Sequence, residues 1–422
     1  MHSPRSVSRN PLSLLALAAA LAGLCLAFSA CGPDSADEPQ RSLTIYVSQP
    51  TTGGRGGRDT IRAVEIAVAN QGSRIGEAEI RVVGLNDADP EGRFDPALVR
   101  ANARRAAEDP TTIAYIGEFD SGGTEIAMPI LNRAGILHVS SGSTAVKLTR
   151  PSPAVGERLR PTGLRTFARV VPNDTVQSAA LTQFMQEESV GRVFVVDDGG
   201  TYGLGLKRYF DRLAELAGIE IVGTSPATPR TDMVALAETV DESGADAVLY
   251  AGSDLETGLN LFEAISRASI HVKLFGGDGI SLTGFLDELG DAELDTYVTA
   301  PMLPAGNYAI SGESFFERFR DRHGEEAEPM SIFGYEAGDA VMDSIRAGVR
   351  GDIATQPIAT LRNDTRDAFF SISERPSALG SYSIDANGDT TLTFYGAYRV
   401  EGGELVLGRA IDVPGSLLQE VE

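Results

Sequence analysis

Several short runs rich in glycine and hydroxyl side chains each sit directly after an apolar, β-like stretch. Gly117-Glu118-Phe119-Asp120-Ser121-Gly122-Gly123-Thr124 follows one such stretch, and Ser140-Ser141-Gly142-Ser143-Thr144 follows the next. Glycine lets a ligand approach the backbone, and Ser and Thr donate hydroxyl hydrogen bonds. The start of a following helix offers free N–H groups and a positive dipole end to an anion such as a carboxylate. Later in the chain come Tyr250-Ala251-Gly252-Ser253-Asp254 and Phe275-Gly276-Gly277-Asp278-Gly279. Asp278, held between glycines, is placed to meet a cationic group. Tyr202 starts a helix after a strand, where it would lie over a ligand. Each run also has a plainer reading. Ser/Gly clusters cap helices, Asp278 could cap a helix starting near Ser281, and Tyr202 could simply cover a strand end.

Covalent chemistry finds little support. The histidines are His2, His138, His271 and His323, with no His-x-x-x-His pair and no cysteine cluster to hold a metal. A Gly-x-Ser-x-Gly elbow is missing. The glycine-rich Gly53–Thr60 lacks the lysine of a phosphate-binding loop. His138, two residues before Ser140, reads as structural at a strand end. These patterns point to a binding protein rather than an enzyme, with no metal and no cofactor. With 59 acidic against 36 basic residues, the chain carries a net charge of −23. Such a surface repels phosphate polyanions, so nucleic acid is not an expected partner.

The elements that would position these runs follow one grammar. Strands at Leu43–Ser48, Ile80–Val83, Thr112–Ile116 and Ile136–Ser140 alternate with helices over Asp95–Ala107 and Thr124–Ala134. A second series has strands at Phe167–Val171, Val193–Val196, Ile219–Val222, Ala247–Tyr250, Val272–Phe275 and Thr296–Thr299. Its helices span Thr175–Glu188, Leu204–Ala217, Met233–Glu242 and Gly258–Ala268. Strands alternating with helices predict α/β layers, here two doubly wound parallel-sheet lobes joined by a hinge. In such sheets ligands bind beyond the carboxyl ends of the strands, where the runs above lie. The last third differs. Helices are expected over Phe315–Arg322 and Tyr335–Val349, then strands at Gly380–Ile384, Leu392–Val400 and Leu405–Arg409. Asn387-Gly388 and Gly402-Gly403 read as hairpin turns, in a tail that returns across the lobes. The division expected is residues 42–168 with 303–380 for one lobe, and 169–302 with 381–422 for the other.

The N-terminus carries an address. Arg5 and Arg9 precede an apolar stretch from Leu12 to Ala30, the pattern of an export signal. It is also nearly the length of a membrane span, about 20 residues. The stretch ends in Phe28-Ser29-Ala30-Cys31-Gly32, which resembles the bacterial lipobox, with Phe28 where Leu is usual. Three outcomes stand open: a lipoprotein signal over residues 1–31 with Cys31 acylated, plain secretion, and an uncleaved anchor. The cysteines are Cys25 and Cys31, so a mature chain starting at Cys31 has no disulfide to form. Residues 32–41 read as a flexible tether.

Taken together, Tyr115-Ile116-Gly117 through Ser121, Gly135-Ile136-Leu137 through Thr144, Tyr202-Gly203, Tyr250-Ala251-Gly252 and Gly276-Gly277-Asp278-Gly279 make the chain similar to a known family. It resembles the periplasmic leucine/isoleucine/valine-binding proteins of ABC transporters, a class I periplasmic-binding fold, from about Leu43 to at least Val349. The resemblance implies an α-amino acid held between the lobes. Ser121 and Thr144 would hold its carboxylate, with backbone groups near Gly142 and Ser143. Asp278 would pair with its ammonium, where the family usually has Glu, and Tyr202 would pack at the site. Ser253 stands where an aromatic is common, and the loop Gly53–Gly57 has no aromatic at all. The expected ligand is therefore a polar amino acid, an amide or another small carboxylate as readily as a branched aliphatic one, and Arg55 could face it. The implied partners are a membrane permease and, through acyl chains at Cys31, the membrane itself; a monomer is expected. A sensor that reports ligand to a membrane receptor is the alternative, and an exported enzyme the remotest reading.

Overall fold

The computed structural model describes Met1 and residues 41–421. The segment read as an export signal, Cys31 and the expected tether up to Gln40 lie outside the described residues. Two open sheets carry the rest. The first has six strands, β1 (Arg41–Gln49), β2 (Arg74–Ile75), β3 (Ala78–Asn86), β4 (Thr112–Ile116), β5 (Leu137–Ser140) and β6 (Phe167–Arg169), in the order β2-β3-β1-β4-β5-β6. All are parallel except the β2–β3 hairpin. The second has seven: β7 (Arg192–Asp197), β8 (Glu220–Pro226), β9 (Ala247–Ala251), β10 (Lys273–Gly276), β11 (Thr296–Ala300), and, beyond a separate short pair β12 (Arg375–Ser377) and β13 (Gly380–Tyr382), β14 (Phe394–Glu401) and β15 (Glu404–Asp412). Their order is β15-β14-β11-β10-β9-β7-β8, with β14 and β15 antiparallel additions at one edge.

Both sheets are covered on both faces, which is why their central strands are runs of Val, Ile, Leu and Ala. In the first, Leu43, Ile45 and Val47 meet Val64 and Ile66 of helix Gly56–Asn70 and Phe333 and Val341 of helix Ser331–Gly348. Tyr46 and Tyr115 face the helices Pro96–Glu108 and Ser121–Arg133. In the second, Phe194 and Val248 meet Leu236 and Phe262, while Val193, Val195 and Leu249 meet Leu181, Leu206 and Phe210. The helices Gly56–Asn70 and Ser331–Gly348 run unusually close. A Cβ on Gly334 would lie 2.6 Å from Thr60 Cγ2, and one on Gly338 3.1 Å from the Ala67 Cβ.

The chain passes between the sheets after β6, after β11 and before β14. The third passage docks on the first sheet at its edge: Arg169 N–H donates to Gly388 O (2.9 Å). Gly388 has φ 101° and its missing Cβ would fall 2.5 Å from Phe167 O, so a larger residue has no place there. Asn387-Gly388 sits in a turn at this crossing, closed by the antiparallel bridge between Ile384 and Thr390, with Asp385 accepting the N–H groups of Asn387, Gly388 and Asp389. Gly402-Gly403 does form the expected two-residue hairpin turn, both at positive φ, between paired Glu401 and Glu404.

Beneath the crossing, Arg169 is fully buried. Its Nε donates to Asp389 Oδ1 (2.7 Å), Nη1 to the carbonyls of Ser143 (2.9 Å) and Ala145 (3.0 Å), and Nη2 to Thr149 Oγ1 (2.7 Å). Three segments far apart in sequence are locked by one guanidinium. Removing one member of a buried ion pair costs about 3–5 kcal/mol because the other charge is left unpaired. Asp389→Ala is therefore expected to lower the unfolding free energy by about 3 kcal/mol or more in urea denaturation; a loss under about 1 kcal/mol would contradict this role.

Candidate ligand-binding site

In each sheet the strand order reverses at one point, and crevices open there beyond the carboxyl ends. In the first sheet it lies between β1 and β4, in the second between β7 and β9. The loops after these four strands, Pro50–Gly57, Gly117–Ser121, Asp198–Thr201 and Gly252–Asp254, face one another across the space between the lobes.

At the innermost point a void of about 20 Å³ is lined by Phe119, Asp120, Ser121, Gly142 and Thr144 from the first lobe and by Tyr202, Ser253, Asp278 and Gly279 from the second. Ser121, Gly142, Thr144, Tyr202, Ser253 and Asp278 are thus brought together from opposite lobes. Ser143 is not among them. Its Oγ donates to Glu118 O (2.8 Å) and lies 2.6 Å from Thr124 Oγ1, so it staples two loops to each other inside the lobe. The backbone N–H groups of Gly142 and Ser143, expected to meet a carboxylate, both go to Ser140 Oγ (3.2 and 2.8 Å). Gly142 is small for a different reason. A Cβ there would lie 2.5 Å from the Phe119 ring, so the glycine makes room for Phe119 rather than for ligand backbone contact.

The helix end after β4 is also already occupied. Asp120 caps helix Ser121–Arg133, accepting Gly122 N–H (2.6 Å) and Gly123 N–H (3.3 Å). The first lobe therefore offers an anion the hydroxyls of Ser121 and Thr144 more than free helix N–H groups. Ser121 Oγ accepts Ala145 N–H (3.2 Å), which leaves its own proton to give.

The second lobe is acidic. Tyr202 Oη lies 2.8 Å from Asp278 Oδ1 and 3.1 Å from Gln177 Oε1, and its single proton serves the carboxylate. Burial pushes Asp278 up to about 6, against the pull of the Tyr202 and Gln177 hydrogen bonds. Its side chain caps no helix. The flanking glycines explain the Gly-Gly-Asp-Gly run. A Cβ on Gly277 would lie 2.1 Å from Tyr202 Oη, and one on Gly279 2.5 Å from Gly252 O. Only glycine on both sides lets Tyr202 lie across Asp278.

Outside this point the crevice widens into a chamber of about 1360 Å³ that shares Phe119, Asp120, Ser253 and Gly279 with the inner pocket. Its walls carry eleven acidic side chains and three arginines. Arg55 does reach it, but its Nε is spent on Glu328 (2.8 Å), and Arg93 is bound to Asp89 (3.0 Å). The lobes touch through Ser253 Oγ–Asp120 Oδ2 (3.2 Å), Thr201 Oγ1–Glu125 Oε2 (3.1 Å) and Thr283 Oγ1–Glu328 Oε1 (2.8 Å). Asp198 shapes the second-lobe side by accepting the N–H groups of Ser253 (2.8 Å) and Asp254 (3.2 Å).

His138 takes no part in ligand chemistry. It is fully buried between Tyr115 and Phe167, with Nε2 2.6 Å from Gly117 O, and burial lowers it to about 3. Asp120 and Phe119 belong to the pocket, although within their run only Ser121 was expected to meet the ligand. The Asp-Ser-Gly-Gly order was the available signal, since an Asp before such a run is a helix cap at a strand mouth. Among the described residues, no group of three or more His, Cys, Asp or Glu side chains is arranged to hold a metal ion.

Comparison with known proteins places the chain in a family and a fold. A family model described as periplasmic binding protein matches residues 47–391. A Leu/Ile/Val-binding protein of Rhizobium johnstonii is 26% identical over 301 residues, covering 69% of this chain and 74% of the relative. The branched-chain amino acid transporter substrate binding protein of Streptococcus pneumoniae, solved in complex with isoleucine, superimposes with a TM-score of 0.73 at 17% identity, covering 88% of this chain and 99% of that one. An ABC-transporter solute binding protein of R. palustris, solved in complex with 4-hydroxybenzoate, gives 0.72 at 16% identity, covering 88% and 98%. The fold is that of the class I periplasmic binding proteins, and this chain belongs to the periplasmic binding protein family, the one that includes the Leu/Ile/Val-binding proteins.

Proposed function

We propose that this protein is the extracytoplasmic solute-binding component of an ABC importer, and that it captures a small amino acid between its lobes. One observation carries the reading: hydroxyls of Ser121 and Thr144 in the first lobe share a single pocket with Asp278 and Tyr202 of the second. An α-amino acid presents a carboxylate and an ammonium on one carbon, and the pocket offers donors on one wall and a carboxylate on the other. Ser253 contributes a further polar wall. Lobe closure excludes water and strengthens both sets of contacts. The ligand side chain would run outward into the acidic chamber, which favours a polar or basic tail over the aliphatic tail of Leu, Ile or Val. The partner is a membrane permease, which receives the ligand from the closed monomer. The protein is held at the membrane by acyl chains on Cys31.

A thermal-shift screen across the amino acids, their amides and small carboxylates identifies the ligand; a hundredfold excess over Kd stabilises the protein by about 2.7 kcal/mol. Asp278→Ala should weaken the amino acid found in this way by at least about a hundredfold, since a buried charge loses its partner. Calorimetry showing affinity within a factor of three of the parent would remove Asp278 from the site. Cys31→Ser should move the protein from the membrane fraction to the soluble fraction of cells that express it. Retention in the membrane would mean that the apolar segment is itself the anchor.

A further inference from the structure

Close to the inner pocket lies a carboxylate that the fold itself leaves unsatisfied. Asp174 opens helix Asp174–Glu187 and is fully buried, and neither of its oxygens has a hydrogen-bond partner among the described residues. Its backbone N–H is bound to Thr144 O (3.0 Å), which fixes it against a residue that lines the pocket. Across from it, a Cβ on Gly205 would lie 2.9 Å from Asp174 Oδ2, so glycine inside helix Thr201–Ala217 keeps space beside the carboxylate. Glycine there costs about 1 kcal/mol relative to alanine. The nearest cation, Arg169, has four of its five N–H donors committed to other groups. Asp278 is near enough to repel Asp174, and burial and that repulsion together push Asp174 up to about 7. The Thr144 side chain counters part of the rise, though no donor reaches either oxygen in hydrogen-bond geometry.

A buried carboxylate without a partner costs several kcal/mol unless a cation or a donor meets it. The second lobe thus holds two buried carboxylates next to the hydroxyls of the first: Asp278, which accepts the Tyr202 O–H, and Asp174, which accepts no donor in hydrogen-bond geometry. We propose that Asp174 is a second anchor for the ligand, acting with Asp278 to hold one ammonium, so that the solute must carry a primary or secondary amine at its inner end. Carboxylates without an amine, the hydroxybenzoates among them, are then poor ligands. This inference rests on the reading of the crevice as an amino-acid site, and it adds the residue and the chemical requirement that set its selectivity.

The test compares matched pairs by calorimetry on the native protein. L-leucine is set against 4-methylpentanoate, L-glutamine against 4-carbamoylbutanoate, and L-arginine against 5-guanidinopentanoate, with 4-hydroxybenzoate as a further probe. At least one amino acid should bind, and its partner lacking the amine should bind at least about a hundredfold more weakly. In Asp174→Asn, affinity for the amino acid should fall about thirtyfold or more while the deamino compound is little changed, so discrimination within the pair shrinks. A purely structural role would weaken both members alike. If the amino acids bind Asp174→Asn as tightly as the native protein, or if both members of a pair lose equally, the proposal fails and the amino-acid reading stands. Equal affinity of the native protein for both members of a pair overturns the amine requirement even should Asp174→Asn not fold. Tight 4-hydroxybenzoate binding with no amino acid bound, or no binding of any of the seven compounds, overturns the amino-acid reading and this inference with it.

Discussion

The arginine buried at the end of β6 determines where the pocket can be. Arg169 binds the carbonyls on either side of Thr144, those of Ser143 and Ala145, and is neutralised by Asp389 from the last crossing between the lobes. Thr144 O is taken in turn by the N–H of Asp174, the residue that begins the second lobe's first helix. A residue that lines the pocket is therefore pinned through its own peptide groups to both the lobe it belongs to and the lobe it must meet. A charge with no exposure to water holds its partners strictly, because every lost bond would leave it uncompensated. The crossing between the lobes and the pocket wall share one set of bonds.

The two lobes are alike in plan but opposite in chemistry. Each is a doubly wound sheet whose strand order reverses once, and both reversals open toward the same crevice. The first lobe brings hydroxyls, since Asp120 already takes the helix N–H groups and Ser140 takes those of the next loop. The second lobe brings carboxylates and the phenol of Tyr202. Under the proposed reading, this asymmetry would give a zwitterion one favourable orientation. Glycines serve this arrangement mainly by making room for protein side chains: Gly142 for Phe119, Gly277 for Tyr202 and Gly205 beside Asp174.

Such a site costs the unliganded fold. Asp278 and Asp174 hold their protons more tightly when folded than when unfolded, to about 6 and about 7 from an ordinary value of 3.8. Native protein then binds more protons than the unfolded chain above pH 4, so these groups withdraw stability as pH rises through that window. His138 has the opposite sign. Lowered from 6.5 to about 3, it withdraws stability as pH falls below 6.5. A cationic ligand offsets the first cost and leaves the second untouched.

Much of this architecture could be read from residue order. Strands buried on both faces announce themselves as short apolar runs, and Thr112–Ile116 is found where the pattern puts it. Helix Ile358–Phe370 was missed because its inward face carries Arg362, Thr365 and Arg366, with Arg362 donating to Thr112 O, Ala134 O and Asp109 O; its periodicity is polar. The short β2 strand and helix Pro153–Leu159 are too brief to show a period. In the site, position after a strand marked the runs that hold Ser121, Thr144, Tyr202, Ser253 and Asp278, because a parallel sheet sends all such runs to one edge, while the choice of Ser121 and Thr144 within them came from the family resemblance. Composition and order thus determined the layers, the crevice and the kinds of group lining it. Which of two adjacent hydroxyls faces inward, Ser143 or Thr144, was decided only by packing against Glu118 and Thr124. Likewise Asp174 reads as an ordinary acid at a helix start, and its lack of a partner exists only once Thr144, Gly205 and Arg169 have closed around it. Local sequence sets what a residue can bond to; the neighbours that fill or leave open those bonds come from distant parts of the chain.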